Sequence, residues 1–489
     1  MSKPHSLAQN VVAKGILNIF NAVLPLIVTR YVFHELGPFN MGSIEYGMAL
    51  MGYFAMVGLL GTYNYGLREI SANRNNPLVV KEIFKNLLCI NLVSNVLMLG
   101  AYIAFVALFI TDPLLRTISW ILCGNIISQV FYVEWYNEAM EEFRFITIKT
   151  MVIRIISVVF IFVLIHSPED VYIYVAITSV VTIANYIVSY IYARHESGIP
   201  TRELFRGLDF RPYIVPLLTI MLLNNTVILY TMADRTILGY FTDAENVGYF
   251  ALGSKVAEMT RTLLLSVVFA TLPRLSLYLK EDKRLYQEGV LKLMRLVMMM
   301  IIPVGIGLFL LSAEVIDFFG GKDYIPAIPV MRLFSLRMIM LGVEAIMYNQ
   351  IIFLHGKERQ LVIFNLCCGL LNVALNFACL SFLSPLVSLG CTFASEIVFE
   401  TLCYRFITRK LKVKLGLFNL YTLRYFAVSL LFIPAVWGIG MFNPGTKMMF
   451  IISIPLCMVI YLGAMYMVRD DAYMMLQGYV LKMFNRKKK

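Results

Sequence analysis

VGYFALGSKVAEMTRTLLLSVVF, residues 247–269, decides how the chain is read. A helix needs about 20 mostly apolar residues to cross a bilayer, and this stretch is long enough. Yet Lys255, Glu258 and Arg261 recur in it at three-residue spacing, which lines all three up along one helical face. A charge at the bilayer centre costs about 2.5–3.5 kcal/mol on insertion scales. Such a face turns toward other helices or a wet hollow, not toward lipid.

Apolar stretches of this length recur from end to end. The 489 residues are 59% hydrophobic and 15% charged, whereas a soluble domain is nearer half apolar and a quarter charged. A β-barrel would show short alternating segments instead. The expectation is an all-α polytopic membrane protein with fourteen transmembrane helices at 10–33, 42–64, 82–110, 117–138, 145–166, 170–193, 212–235, 245–271, 290–316, 326–353, 358–382, 386–408, 421–441 and 447–468. The polar start MSKPHSLAQN enters the first span with no cleavage site after it, so no cleavable signal peptide is expected. All eight cysteines fall in apolar stretches, which predicts neither a disulfide framework nor a metal site. No cofactor is expected either.

Lys and Arg set the orientation. Alternating the connections from the N-terminal tail, the set that includes both tails holds most of the 42 Lys and Arg. The opposite set holds only Arg116, Lys322 and, at a span edge, Lys447. Both termini are therefore expected to be cytoplasmic. The formal charge of +12 is spread over many short loops, which argues for topology and against nucleic acid. The outer loops are too short for a catalytic domain, and no GxxxxGK[ST], HExxH or GxSxG occurs. The tail VLKMFNRKKK is expected to meet anionic lipids of the inner leaflet.

The chain also repeats itself. TRYVFHELGPFNMGSIEYG…YNYGLREIS after the first span parallels DRTILGYFTDAENVGYFALG…TLPRLS after the seventh. Arg30 matches Arg235, Gly42 matches Gly248, and Arg68 matches Arg274, the last two pairs each 206 positions apart. Six spans separate the copies, so the two copies have the same orientation. This predicts two pseudo-symmetric six-helix lobes around a cleft, as in parallel-repeat transporters, plus two extra C-terminal helices. The expected division is 1–193 (first lobe), 194–211 (cytoplasmic linker), 212–408 (second lobe), 409–468 (spans 13 and 14) and 469–489 (basic tail).

Charges inside the spans are the candidate site. Arg30, Arg154, Lys255, Arg261, Arg332 and Arg337 are candidates to hold an anionic head group, because a guanidinium fork donates paired hydrogen bonds to phosphate. Glu258, Glu344 and Glu396 are candidates to carry a coupling H+ or Na+. The opposing reading is structural, with mutual ion pairs such as Lys255–Glu258 or Arg337–Glu344 pinning helices together. Asp234–Arg235, and Glu134 and Glu138 at an inner helix end, read as interfacial anchors or loop contacts, and Trp120 and Trp135 near helix ends as interface residues. Midspan amides (Asn91, Asn95, Asn125, Asn185, Asn224, Asn225, Asn372, Asn376) read mostly as links between helices.

LPLIVTRYVFHELGPFNMGSIEYGMA…LLGTYNYGLREIS, VEWYNEAMEEFRFITIKTMVIRI, MADRTILGYFTDAENVGYFALGSKV with TLPRLS, and ASEIVFE together resemble polysaccharide flippases. These belong to the multidrug/oligosaccharidyl-lipid/polysaccharide exporter superfamily. YNYGLREIS and EWYNEAMEEF look closest to the teichoic acid flippases, and Asn137-Glu138 stands where O-antigen flippases usually carry Gln-Gly. The resemblance implies a carrier in the bacterial cytoplasmic membrane. It would move undecaprenyl-pyrophosphate-linked glycan from inner to outer leaflet by alternating access. An ion-coupled multidrug exporter of the same superfamily is the alternative. A membrane glycan polymerase or ligase fits less well, because it needs a sizeable outer loop.

Overall fold

The structure is a computed structural model. It describes the backbone of residues 7–486 except 418 and 443, and the side chains of these residues except 7–23, 201, 222–231, 266, 267, 270 and 479–486. Asn224, Asn225 and the basic end of the tail therefore lie outside the described side chains. The chain packs as two compact units, Met1–Gly248 and Tyr249–Lys489.

The first unit contains α1 (Leu7–Leu59), α2 (Thr62–Ala72), α3 (Pro77–Phe109), α4 (Pro113–Ser128), α5 (Glu134–Ala139), α6 (Phe143–Leu164), α7 (Val171–Ser197), α8 (Arg211–Phe241) and the start of α9 (Ala244–Glu281). The second holds the rest of α9, then α10 (Lys283–Leu310), α11 (Ser312–Gly320), α12 (Ile328–Ala345), α13 (Glu358–Ala378), α14 (Pro385–Phe406), α15 (Leu420–Ser429), α16 (Phe432–Gly440), α17 (Thr446–Met467) and α18 (Asp471–Arg486). The expected boundary at 194–211 falls inside the first unit. There α8 packs on α1, and Arg235 of α8 pairs with Glu45 of α1 at 3.2 Å.

Helix starts follow simple chemistry. Asn76, Asp112 and Ser384 each accept a hydrogen bond from a backbone N–H of the first turn, and each is followed by Pro at the first helical position. Proline has no N–H to leave unpaired there. The expected loop between the first two spans contracts to a kink. Gly37 has φ 73°, a conformation that costs glycine nothing, and Pro38 follows it, so α1 runs on as two arms. Ten segments among the described residues are long and apolar enough to cross a membrane. The expected spans absent from that set are those that merge at this kink, that carry the charges of α9 and α12, or that include the undescribed part of α8.

The two glycines matched in the repeat lie against each other's helices. A Cβ on Gly42 would lie 1.6 Å from the carbonyl oxygen of Ala244, and one on Gly248 would lie 2.1 Å from that of Pro38. The repeat-related glycines thus sit at one crossing inside the first unit, where the second arm of α1 meets the start of α9 backbone to backbone. Small residues permit such close approach in membranes.

Each unit has its own core. In the first, Phe84, Trp135 and Tyr136 pack together, and Trp135 is only 1% exposed. This corrects its assignment to the interface. Gly66 leaves the space the indole occupies, since a Cβ there would come within 2.5 Å of the ring, and the indole N–H donates to the Tyr132 carbonyl. In the second, α10 packs along α12 through Met294, Ile301 and Met338. The C-terminal helices are tied to it by Asp470. Its carboxylate accepts from the Arg295 guanidinium at 2.7 Å, from the Tyr425 hydroxyl at 3.0 Å and from the Ala472 N–H at 2.9 Å.

Candidate functional site

The second unit gathers several of the expected residues. Arg337 lies midway along α12, and Glu396 lies on α14, 4% exposed. The Arg337 fork donates twice to that carboxylate, Nε to Oε2 at 2.6 Å and Nη2 to Oε1 at 2.5 Å. Its plane also lies over the Phe334 ring. A parallel double hydrogen bond is the strong form of this pairing. Glu344, seven residues along α12 from Arg337, lies in the electrostatic field of Glu396, Arg337 and Arg261, but it is not the partner of Arg337. Glu400 follows Glu396 by one turn on α14, close to Glu344, and its Oε1 is buried with no hydrogen-bond partner. Neither acid makes an ion pair among the described residues.

On α9 the cation that pairs is Arg261, which meets Glu258 at 3.0 Å one turn away. Lys255 is exposed and makes no ion pair among the described residues. It lies eleven residues in from Ala244, about 16 Å along the axis at 1.5 Å per residue. That is roughly half the thickness of a hydrocarbon core. Arg332 is also exposed. Its Nε donates to Ser312 Oγ at 3.1 Å, and its guanidinium lies over Phe309.

Arg30 on α1 and Arg154 on α6 belong to the first unit, where each is half-buried and held by contacts within the chain. A further intramembrane cation here escaped the sequence reading. Lys149 on α6 is sealed, its side chain 4% exposed, with Nζ 3.0 Å from Glu134 Oε2 and 2.6 Å from Ser189 Oγ. Ser189 in turn donates to Glu134. Glu134 is thus locked into an interhelical ion pair rather than anchored at an interface. The amides link helices. Asn91 donates to the Gln129 carbonyl at 2.7 Å, Asn95 to the Gly58 carbonyl at 3.1 Å, and Asn372 to Thr392 at 2.7 Å.

The sequence pattern of the family described as "Polysaccharide biosynthesis protein" matches residues 7–279. The chain belongs to this polysaccharide biosynthesis protein family. A relative from Escherichia coli (strain K12) named "Putative O-antigen transporter" is 20% identical over 405 residues, covering 82% of this chain and 97% of that protein. Two solved structures share the fold. "Lipid II flippase MurJ, inward closed conformation" superposes with a TM-score of 0.75 at 13% identity, covering 93% of this chain and 98% of that one. A multidrug resistance MATE family transporter of the MOP superfamily, in an inward-facing conformation, superposes at 0.58 with 13% identity, covering 82% of this chain and 99% of that one. This member of the polysaccharide biosynthesis protein family is accordingly a multi-pass membrane protein, and it shares its fold with the two solved transporters.

Proposed function

We propose that the chain flips a polyprenyl-pyrophosphate-linked glycan, in the finer reading an undecaprenyl-pyrophosphate-linked teichoic acid precursor, from the inner to the outer leaflet of the bacterial cytoplasmic membrane. The observation that carries this reading is that Lys255 is exposed, with no carboxylate paired to it among the described residues, eleven residues into α9, which we read as crossing the membrane. An exposed ammonium cannot face hydrocarbon at tolerable cost. It faces a hydrated region, where it supplies positive charge to an anion. The family's description and the relative's printed name support a polysaccharide cargo, and the carrier lipid we assign to it has a pyrophosphate that must exchange water for cationic donors.

Arg337 and Glu396 then act as an exchangeable pair. While Glu396 is ionised it holds both arms of the fork. Protonation removes that charge and frees the guanidinium for the pyrophosphate, and loss of the proton ejects the head group again. Glu344 and Glu258 are the other candidate carriers of a coupling H+ or Na+. Arg30, Arg154, Arg261 and Arg332 complete the cationic set. The basic tail rests on anionic inner-leaflet lipids, with both termini cytoplasmic.

The test is transport in proteoliposomes, using a fluorescent lipid-linked oligosaccharide and a membrane-impermeant quencher. Arg337→Ala and Arg261→Ala each slow flipping at least tenfold. Normal rates in both variants would overturn the reading. Depletion in the native host is expected to accumulate the lipid-linked precursor on the cytoplasmic face, and the sugars on that lipid identify the glycan.

A further inference from the structure

The cationic set of the second unit accounts for a head group and leaves the sugars without a place. In the first unit, the apolar segment Pro113–Ala139 is not one helix. After α4 it tightens into a 3-10 turn at Gln129–Phe131, and Tyr132 leaves the helical region altogether at φ −75°, ψ 100°, before α5 begins at Glu134. Irregular backbone at membrane depth is tolerated where it is buried in protein or lines a wet cavity. The side chains presented by this break are unusual for a packing seam. Tyr132 stands 5.0 Å from Tyr186 of α7, edge to face, and 6.3 Å from Tyr63 of α2. All three rings are half-buried. Tyr63 donates to Glu138 Oε2 at 3.0 Å. The hydroxyls of Tyr132 and Tyr186 have no hydrogen-bond partner among the described residues, and neither is sealed from solvent. Both lie in the field of Glu134.

A charge count separates the two acids. Lys149 neutralises Glu134, whereas no cation pairs with Glu138 among the described residues. The corner formed by Tyr63, Tyr132 and Tyr186 therefore offers three aromatic surfaces, two unused hydroxyls and one net negative charge. A pyranose ring presents the complementary chemistry, with C–H groups on its faces for aromatic rings and hydroxyls at its rim for phenols and a carboxylate. Resting on the flippase reading, we infer that this corner binds a sugar of the lipid-linked glycan, and that Glu138 makes it select a neutral or amino sugar over an acidic one.

The test uses the full chain in nanodiscs and three probes: a polyprenyl pyrophosphate without sugar, the same lipid bearing N-acetylhexosamine, and the same lipid bearing a hexuronic acid. The wild type binds the N-acetylhexosamine lipid about five- to tenfold more tightly than the bare lipid, the scale expected of aromatic contact with hydrogen bonding. Tyr186→Ala brings that ratio to about one and leaves bare-lipid affinity unchanged. Tyr132→Phe, which keeps the packing, lowers the ratio part of the way. Glu138→Gln raises affinity for the hexuronate lipid to that of the neutral one. A wild-type ratio of one overturns the inference, and so does a full ratio in folded Tyr186→Ala protein. Should Tyr186→Ala fail to fold, Tyr132→Phe and Glu138→Gln decide alone, and wild-type behaviour in both overturns it. Wild-type protein that binds none of the three lipids overturns the flippase reading itself, and the sugar corner with it.

Discussion

Two buried ion pairs between helices, one from each unit of the molecule, are built differently. In the first unit, Lys149 meets Glu134 together with Ser189, and the charges of the pair cancel. In the second, Arg337 meets Glu396 beside Glu344 and Glu400, two acids with no ion pair of their own among the described residues. A neutral, sealed set has one low-energy state, so it fixes helices. A pair flanked by surplus carboxylates has several arrangements of charge and proton close in energy, and that is what a carrier that changes state needs. The difference separates structural from working charge in a way neither pair shows alone.

The largest effect should come from breaking the sealed set. Lys149→Ala leaves the half-buried Glu134 carboxylate without its cation, and losing one partner of a buried pair costs about 3–5 kcal/mol. Unfolding of the purified protein in lipid nanodiscs should show it, with much of the loss recovered when Glu134→Gln is added. If Lys149→Ala is as stable as wild type, the set is wet or already broken, and the contrast between units fails.

Arg337→Ala is the matched experiment. With the guanidinium gone, Glu396 can take a proton in an environment already rich in acids, so stability should fall by only about 1.5–3 kcal/mol while flipping falls at least tenfold. The swap Arg337→Glu with Glu396→Arg sharpens this. It returns the attraction and much of the stability, but puts the cation on α14, so transport stays low. Recovery of transport with the swap would make this pair structural too.

Partner choice is where the sequence is least legible. Intramembrane Arg, Lys and Glu are visible by position, and so are the Asn76-Pro77, Asp112-Pro113 and Ser384-Pro385 helix starts. The Gly42–Gly248 match anticipates two positions that cannot carry a side chain. But Arg337 and Glu396 are 59 residues apart, and Glu45 and Arg235 are 190 apart. No local spacing encodes those meetings. Helix periodicity favoured Arg337 with Glu344 and Lys255 with Glu258, whereas packing gave Arg337 the Glu396 carboxylate of α14, and Glu258 meets Arg261 one turn along α9. Lys149 escaped notice because a lysine near a helix end reads as snorkelling to the interface. Its burial depends on Ser189, 40 positions away on α7.

Asp470 tests the sealed type of construction outside the membrane segments, with a smaller effect. Burial by itself raises its carboxyl, but hydrogen bonds from Arg295 and Tyr425 outweigh this and hold it below the ordinary aspartate value of 3.8. A depressed native pKa means the clamp contributes fully above about pH 3.8 and is lost as pH falls through the lower native value. Asp470→Asn should therefore cost about 1–2 kcal/mol at neutral pH. Its deficit relative to wild type should shrink only in strong acid, where the wild-type carboxyl is protonated as well. A deficit that shrinks already between pH 7 and 5 would point to a different titrating group.

The smallest stability effect belongs to Lys255, and it is the most discriminating. An exposed cation with no ion pair among the described residues contributes little to folding, so Lys255→Gln should leave stability within about 0.5 kcal/mol. If it serves the anion, flipping should drop severalfold, and the dependence of flipping on ionic strength should weaken, since screened long-range attraction is what the ammonium supplies. Lys255→Arg should restore both, because charge rather than fork geometry is at stake. A loss of stability comparable to that of Lys149→Ala would mean that Lys255 closes an ion pair in the membrane-embedded protein. Both units would then be pinned by the same device, and the working charge would have to be sought elsewhere on α9 and α12.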